Sequence, residues 1–151
     1  MDIEELKKSA IGLLIAFGLQ LILGMILNLF ITISTIHPGD IGSNYFIRSM
    51  HSLWWILSLH GGIVLIFHVY IGVLLVTGSI ALFIRSLIAK VRKYLSIMFL
   101  FVILFTIGAF FNGLSFIDYR HNTSSFIMIL CWFCAVSLLT LGIIKLYSQN
   151  K

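Results

Sequence analysis

The sequence predicts an all-α integral membrane protein, a four-helix bundle running up-down-up-down with both termini inside. Three observations carry that prediction. Hydrophobic residues make up 60% of the chain and charged residues only 10%, a balance foreign to ordinary soluble domains. The charges gather at the two ends and in three short clusters, which leaves uncharged runs over 9–39, 49–84, 94–117 and 121–144. Each run exceeds the roughly 20 apolar residues a helix needs to cross about 30 Å of hydrocarbon. The third observation is the placement of the basic residues. If the runs alternate in direction, Lys7, Lys8, Arg85, Lys90, Arg92, Lys93, Lys145 and Lys151 share one side, against Arg48 and Arg120 on the other. The positive-inside rule assigns the richer side to the cytoplasm.

The expected spans are 9–36, 53–84, 94–117 and 124–146, forming one transmembrane domain over 1–151, in a multi-pass protein of the cell membrane with cytoplasmic termini. The connections 37–52 and 118–123 then lie outside. Helices are preferred to a barrel because lipid-exposed backbone must satisfy its own hydrogen bonds, and no ten-residue stretch alternates apolar with polar residues. The first run exceeds a signal-peptide core and lacks a small-residue cleavage site, so it reads as a retained helix. The topology accounts for the net charge of +5, and nucleic-acid binding is not expected.

In the first span Gly12 and Ala16 are spaced as in small-xxx-small packing faces. Gln20 and Asn28 interrupt the hydrocarbon, and amides there turn toward other helices. Pro38-Gly39-Asp40 predicts a turn after it. The second run carries His51, His60 and His68. As one helix from His51 to Arg85 it would measure roughly 51 Å, about 20 Å more than the hydrocarbon, so it must tilt, kink or protrude. On that helix His60 and His68 lie about 12 Å apart along the axis and roughly 80° apart around it, on a broad common face. Gly61, Gly62 and Gly72 thin the helix beside them, and Trp54 and Trp55 suit the outer interface.

In the third span Asn112 lies about 28 Å above Lys93, and Asn28 about 30 Å above Lys8 in the first. Gln20, Asn28, Asn112 and Ser115, with His60 or His68, therefore form an expected polar cluster in the outer leaflet. The short connection after Asp118 makes the last two helices antiparallel neighbours. Cys131 and Cys134 on the last span read as small apolar residues, because a redox pair needs water access.

Three blocks in the same order, GLQLILGMILNLFITIS with a following HPG, LHGGIVLIFHVYIGVLLV, and GAFFNGLSFIDY with NTSSFIMI, resemble a family of small four-helix prokaryotic integral membrane proteins of unassigned function. The resemblance covers most of the chain from Gly18 onward. It implies a fold and a topology, and no activity, substrate or cofactor.

No nucleophile triad, phosphate loop or H-E-x-x-H motif is present, so no catalytic residue is assigned. The leading expectation is a subunit or accessory factor of a larger membrane complex, with the bilayer and other membrane subunits, or further copies of the chain, as partners. The alternative is a b-type haem protein in electron transfer, since an ionisable side chain at membrane depth is a functional hypothesis by default. Its ligands would be His60 and/or His68, with His121, His37, Met25 or Met128 supplying the second axial position. A small transporter or metal-binding protein is a further alternative, weakened by the absence of a mid-membrane acid and of repeated halves.

Overall fold

The computed structural model describes residues 2–31 and 44–148. His37 and the Pro38-Gly39-Asp40 turn lie outside the described residues. Five helices follow in order: α1 (Ile3–Phe30), α2 (Tyr45–Leu57), α3 (Ile63–Ile88), α4 (Lys93–Tyr119) and α5 (Asn122–Ser148). Among the described residues there is no strand. Helices α1, α3, α4 and α5 are long and apolar enough to cross a membrane, at about 39–42 Å each. The chain is a helical membrane protein.

The expectation of one long helix over 53–84 is corrected. The run breaks at residues 58–62, and its first residues belong to a separate helix, α2, of 13 residues that begins at Tyr45, inside the expected connection 37–52. Gly61 and Gly62 both take φ +89° and Leu59 takes φ 67°. Two adjacent glycines make such left-handed backbone cheap, whereas an L side chain there is strained. There is also no room: a Cβ on Gly61 would stand 2.8 Å from Leu65 Cδ2 and 3.1 Å from the Trp55 ring. The excess length of the run is thus resolved by a break rather than a tilt. Helix α2 begins where Asn44 accepts a hydrogen bond from the Ile47 amide (3.0 Å), a side-chain N-cap.

Contacts run in opposite sequence order along each neighbouring pair of long helices. Leu13 meets Gly78 and Gln20 meets Gly72 between α1 and α3, while Phe99 meets Gly142 and Cys131 meets Gly108 between α4 and α5. Ser86 bonds Ser96 (3.1 Å) and Ser79 meets Thr106 (3.4 Å) between α3 and α4. The four long helices are therefore packed antiparallel, with short turns through left-handed Lys90 and Arg120.

The two ends of the bundle differ. At the basic end, around Lys93, the core is tight: Leu6, Leu13, Phe17, Leu82, Phe99 and Leu139 are among its buried residues. Phe99 lies so close over Gly142 that a Cβ there would come within 2.7 Å of its ring, the close approach small residues permit between membrane helices. Lys7 is buried beside Glu4 (2.6 Å) and under the Tyr147 ring (4.6 Å). At the opposite end, which α2 covers, a smaller apolar cluster joins Leu27, Ile56, Leu65, Val69, Leu114 and Ile117.

Helix α2 is held by polar contacts on its inner face. Ser49 and Ser52, three residues apart, both donate to Asp118 of α4, at 3.1 Å and 2.5 Å. Tyr45 Oη donates to the Phe111 carbonyl (2.8 Å), and the Arg48 guanidinium lies over the Tyr119 ring (4.7 Å). Asp118 is buried. Asp118, expected in an outer connection, is instead the penultimate residue of α4 and is enclosed, because α2 folds over the last turn of α4 and the serines satisfy the carboxylate.

Candidate ligand-binding cleft

Between the four long helices, toward the α2 end, the packing opens into a cleft. Its deeper lobe, about 190 Å³, is walled by α1 (Gln20, Gly24), α3 (His68, Gly72), α4 (Thr106, Gly113) and α5 (Met128, Trp132). A second lobe of about 300 Å³ continues it past Asn28 and Ser125 to Arg120. The two share Gly24, Asn28, His68, Gly113, Ile117, Ser125 and Met128. Trp132 forms the floor, its Nε1–H donating to the Phe17 carbonyl across α5 and α1 (3.2 Å).

The polar feature of the wall is a pair. Gln20 Nε2 lies 3.2 Å from His68 Nε2, joining α1 to α3. Two glycines face this pair, Gly24 closely and Gly72 at ordinary contact distance. A Cβ on Gly24 would lie 3.2 Å from His68 Cε1, and one on Gly72 would lie 3.5 Å from Gln20 Nε2. Each polar side chain thus lies over a glycine of the facing helix. Gln20 Oε1 and His68 Nδ1 are buried and have no hydrogen-bond partner among the described residues. A buried polar atom without a partner costs about 1–3 kcal/mol, so these two atoms require an explanation.

The rim of the cleft is uneven. The exposed residues along it are Leu21, Met25 and Asn28 of α1, Ile129 of α5, and Arg120 beyond. The cleft therefore faces outward between α1 and α5, the direction in which a membrane helix meets lipid. Arg120 is the one charged residue among its described lining residues, and it stands at the far end of the outer lobe. The deeper lobe around the pair is uncharged.

Of the expected cluster, the structure brings together Gln20, Asn28 and His68. Asn112 does not line the cleft: its Nδ2 donates back to the Gly108 carbonyl of its own helix (2.8 Å). Ser115 bonds Ser124 of α5 (3.1 Å) and ties those two helices. His60 is not on a helix with His68. It lies in the break, exposed, with its ring stacked on Trp55 (6.0 Å) and its Nδ1 donating to the Trp55 carbonyl (3.2 Å). His121 is exposed and stacks on Tyr119 (6.2 Å), and His51 is exposed on α2.

The expected haem ligands His60, His68 and His121 thus stand in three separate places, with only His68 on the cleft. Among the described residues no group of three or more His, Cys, Asp or Glu side chains is gathered to hold a metal ion. Cys131 and Cys134 are unbonded, and Cys131 packs on Gly108.

Sequence reasoning missed Gly24, Thr106, Ser125 and Trp132 as cleft residues. One signal was available: Gly24 follows Gln20 by four residues and Gly72 follows His68 by four. A glycine one turn from a polar residue on each of two apolar helices is the pattern of such facing. No family model, curated protein or solved structure matches the chain.

Proposed function

We propose that the protein is a membrane-embedded binding component that takes a small lipid-soluble molecule into the cleft between α1, α3, α4 and α5, and that it serves as an accessory subunit of a larger membrane assembly. The observation that carries the first part is the unpartnered Gln20–His68 pair in the wall of a largely apolar cavity that faces lipid. Binding sites for small molecules are concave, mostly apolar and furnished with few polar groups, and this cleft has that composition. With the basic end taken as cytoplasmic, the chain has both ends inside and the cleft lies in the outer leaflet of the cell membrane. The resemblance to small four-helix prokaryotic membrane proteins is consistent with that arrangement.

The subunit role rests on a separate feature of α1. Around Gly12 nothing beyond its own stretch of helix comes within 4 Å of where a Cβ would stand, so α1 is open there to a neighbouring helix.

The test of the binding role is extraction. Protein isolated in polymer nanodiscs carries one amphiphile enriched over the surrounding lipid, and Ser125→Phe, which fills the junction of the two lobes, loses it. Identical extracts from both proteins and from bulk membrane would overturn the reading. For the subunit role, blue-native electrophoresis of native membranes shows a larger complex that contracts in Gly12→Leu. Migration only as a monomer contradicts it.

A second reading, a haem with His68 as axial ligand, draws on one observation: Met25 and Met128 line the same cleft as His68, and His/Met ligation suits electron transfer. The bond of His68 Nε2 to Gln20 competes with it. Protein from haem-replete cells showing a Soret band that disappears in His68→Phe would establish this reading, and a featureless spectrum would end it.

A further inference from the structure

The unpartnered atoms of the pair define the chemistry of what it would accept. Gln20 Nε2 faces His68 Nε2, so the amide donates and the imidazole accepts. In neutral histidine one ring nitrogen is a donor and the other an acceptor, so Nδ1 then carries the proton. The pair presents a donor at His68 Nδ1 and an acceptor at Gln20 Oε1. If the amide turns over, His68 Nε2–H donates to Oε1, and the vacant positions become an acceptor at Nδ1 and a donor at the amide nitrogen. In both arrangements one donor and one acceptor are left without a partner. A hydroxyl, which both donates and accepts, can therefore serve either open position in either arrangement.

The rest of the lobe narrows the class. Phe17, Leu75, Val69, Ile129 and Trp132 make its walls apolar, and no charged side chain is among its described lining residues. Asp118 is turned into the contact with Ser49 and Ser52 instead, and Arg120 reaches only the outer lobe. A carboxylate or phosphate at the pair would be desolvated with no cation to offset the loss, which is strongly unfavourable. A hydrocarbon or an ester would leave one or both of the pair's open positions empty.

Resting on the reading that the cleft holds a ligand, we propose that Gln20 and His68 select an uncharged amphiphile whose polar end is a hydroxyl, with its chain running along the apolar lobe and out between α1 and α5. Long-chain alcohols, quinols and diglycerides share this chemistry.

The experiment uses Trp132, on the wall of the same lobe, as reporter in the full chain carrying Trp54→Phe and Trp55→Phe, reconstituted in nanodiscs. The probes are three brominated chains of equal length: bromo-undecanol, methyl bromo-undecanoate and bromo-undecane. Each is compared at matched concentration in the disc, so that partitioning cancels. A net hydrogen bond contributes about 1 kcal/mol, so the alcohol should half-saturate quenching at roughly fivefold lower concentration than the ester and more than tenfold lower than the alkane. Gln20→Leu and His68→Phe should each collapse that ranking. Because the ranking is measured first in protein with the pair intact, it stands even if a variant fails to fold. Saturable quenching with all three probes equal would overturn the hydroxyl proposal and leave the cleft reading in place. Quenching that rises linearly for every probe would overturn both. Dioleoylglycerol added as competitor separates the sources: displacement of bromo-undecanol assigns the hydroxyl to a lipid, and no displacement assigns it to a single-chain alcohol.

Discussion

Two polar groups are buried near the α2 end of this bundle, and their hydrogen-bond inventories differ. Asp118 receives the hydroxyls of Ser49 and Ser52 and is enclosed under α2. Gln20 and His68 bond once to each other and leave one atom apiece without a partner. The acid is closed and the pair is open. A buried polar group that is fully satisfied fixes structure, whereas one held half-satisfied at a cavity wall is poised to bind something else. Gly24 reinforces the distinction, since a Cβ there would press to 3.2 Å from His68 Cε1, so the imidazole lies close against α1.

The largest expected effect lies at the closed group. Asp118→Ala leaves two buried hydroxyls without their acceptor and detaches the inner face of α2, which should cost about 2–4 kcal/mol. A thermal melt in detergent checks it, with Asp118→Asn recovering part of the loss. The next effect lies at the break that lets α2 reach Asp118. Gly61→Val places a branched side chain at φ +89° and against Leu65, and about 1–3 kcal/mol of strain should appear in the same melt.

At the open group the balance reverses. Gln20→Leu removes the orphan Gln20 Oε1 but leaves His68 Nε2 without its partner, so the number of unpaired atoms is unchanged and stability should fall only by the worth of the lost bond, about 1 kcal/mol. The selectivity among brominated probes is what should vanish. The smallest effect belongs to Asn112, whose amide bonds only its own helix. Asn112→Leu should shift the melt by under about 0.5 kcal/mol and leave probe binding unchanged.

Much of this was legible in the sequence, and the failures have identifiable causes. Long uncharged runs bounded by basic clusters report helices in lipid directly, so α1, α3, α4 and α5 were readable. The break before α3 was not, because Gly61 and Gly62 do not interrupt hydrophobicity and their effect depends on backbone conformation. That error propagated: placing His60 on one helical wheel with His68 created a shared face that the break removes. Gln20, Asn28 and His68 were readable because polar side chains in hydrocarbon must turn inward. Asn112 and Ser115 obey the same rule without reaching the cleft, Asn112 by bonding Gly108 of its own helix and Ser115 by bonding Ser124 of α5, and spacing alone does not separate such bonds from a site. The burial of Asp118 was not legible because its partners, Ser49 and Ser52, come from a helix that occupies the stretch expected as the outer connection 37–52.

The comparison between closed and open polar groups is tested most directly by ligand-induced stabilisation, since a ligand that binds only the folded protein raises its stability by mass action. The melting temperature is measured with and without saturating bromo-undecanol for the native chain, Gln20→Leu and Asp118→Asn. The account predicts an upward shift for the native chain, the same shift from a lower baseline for Asp118→Asn, and little or none for Gln20→Leu. A full shift in Gln20→Leu, or a shift lost in Asp118→Asn at intact fold, would contradict it.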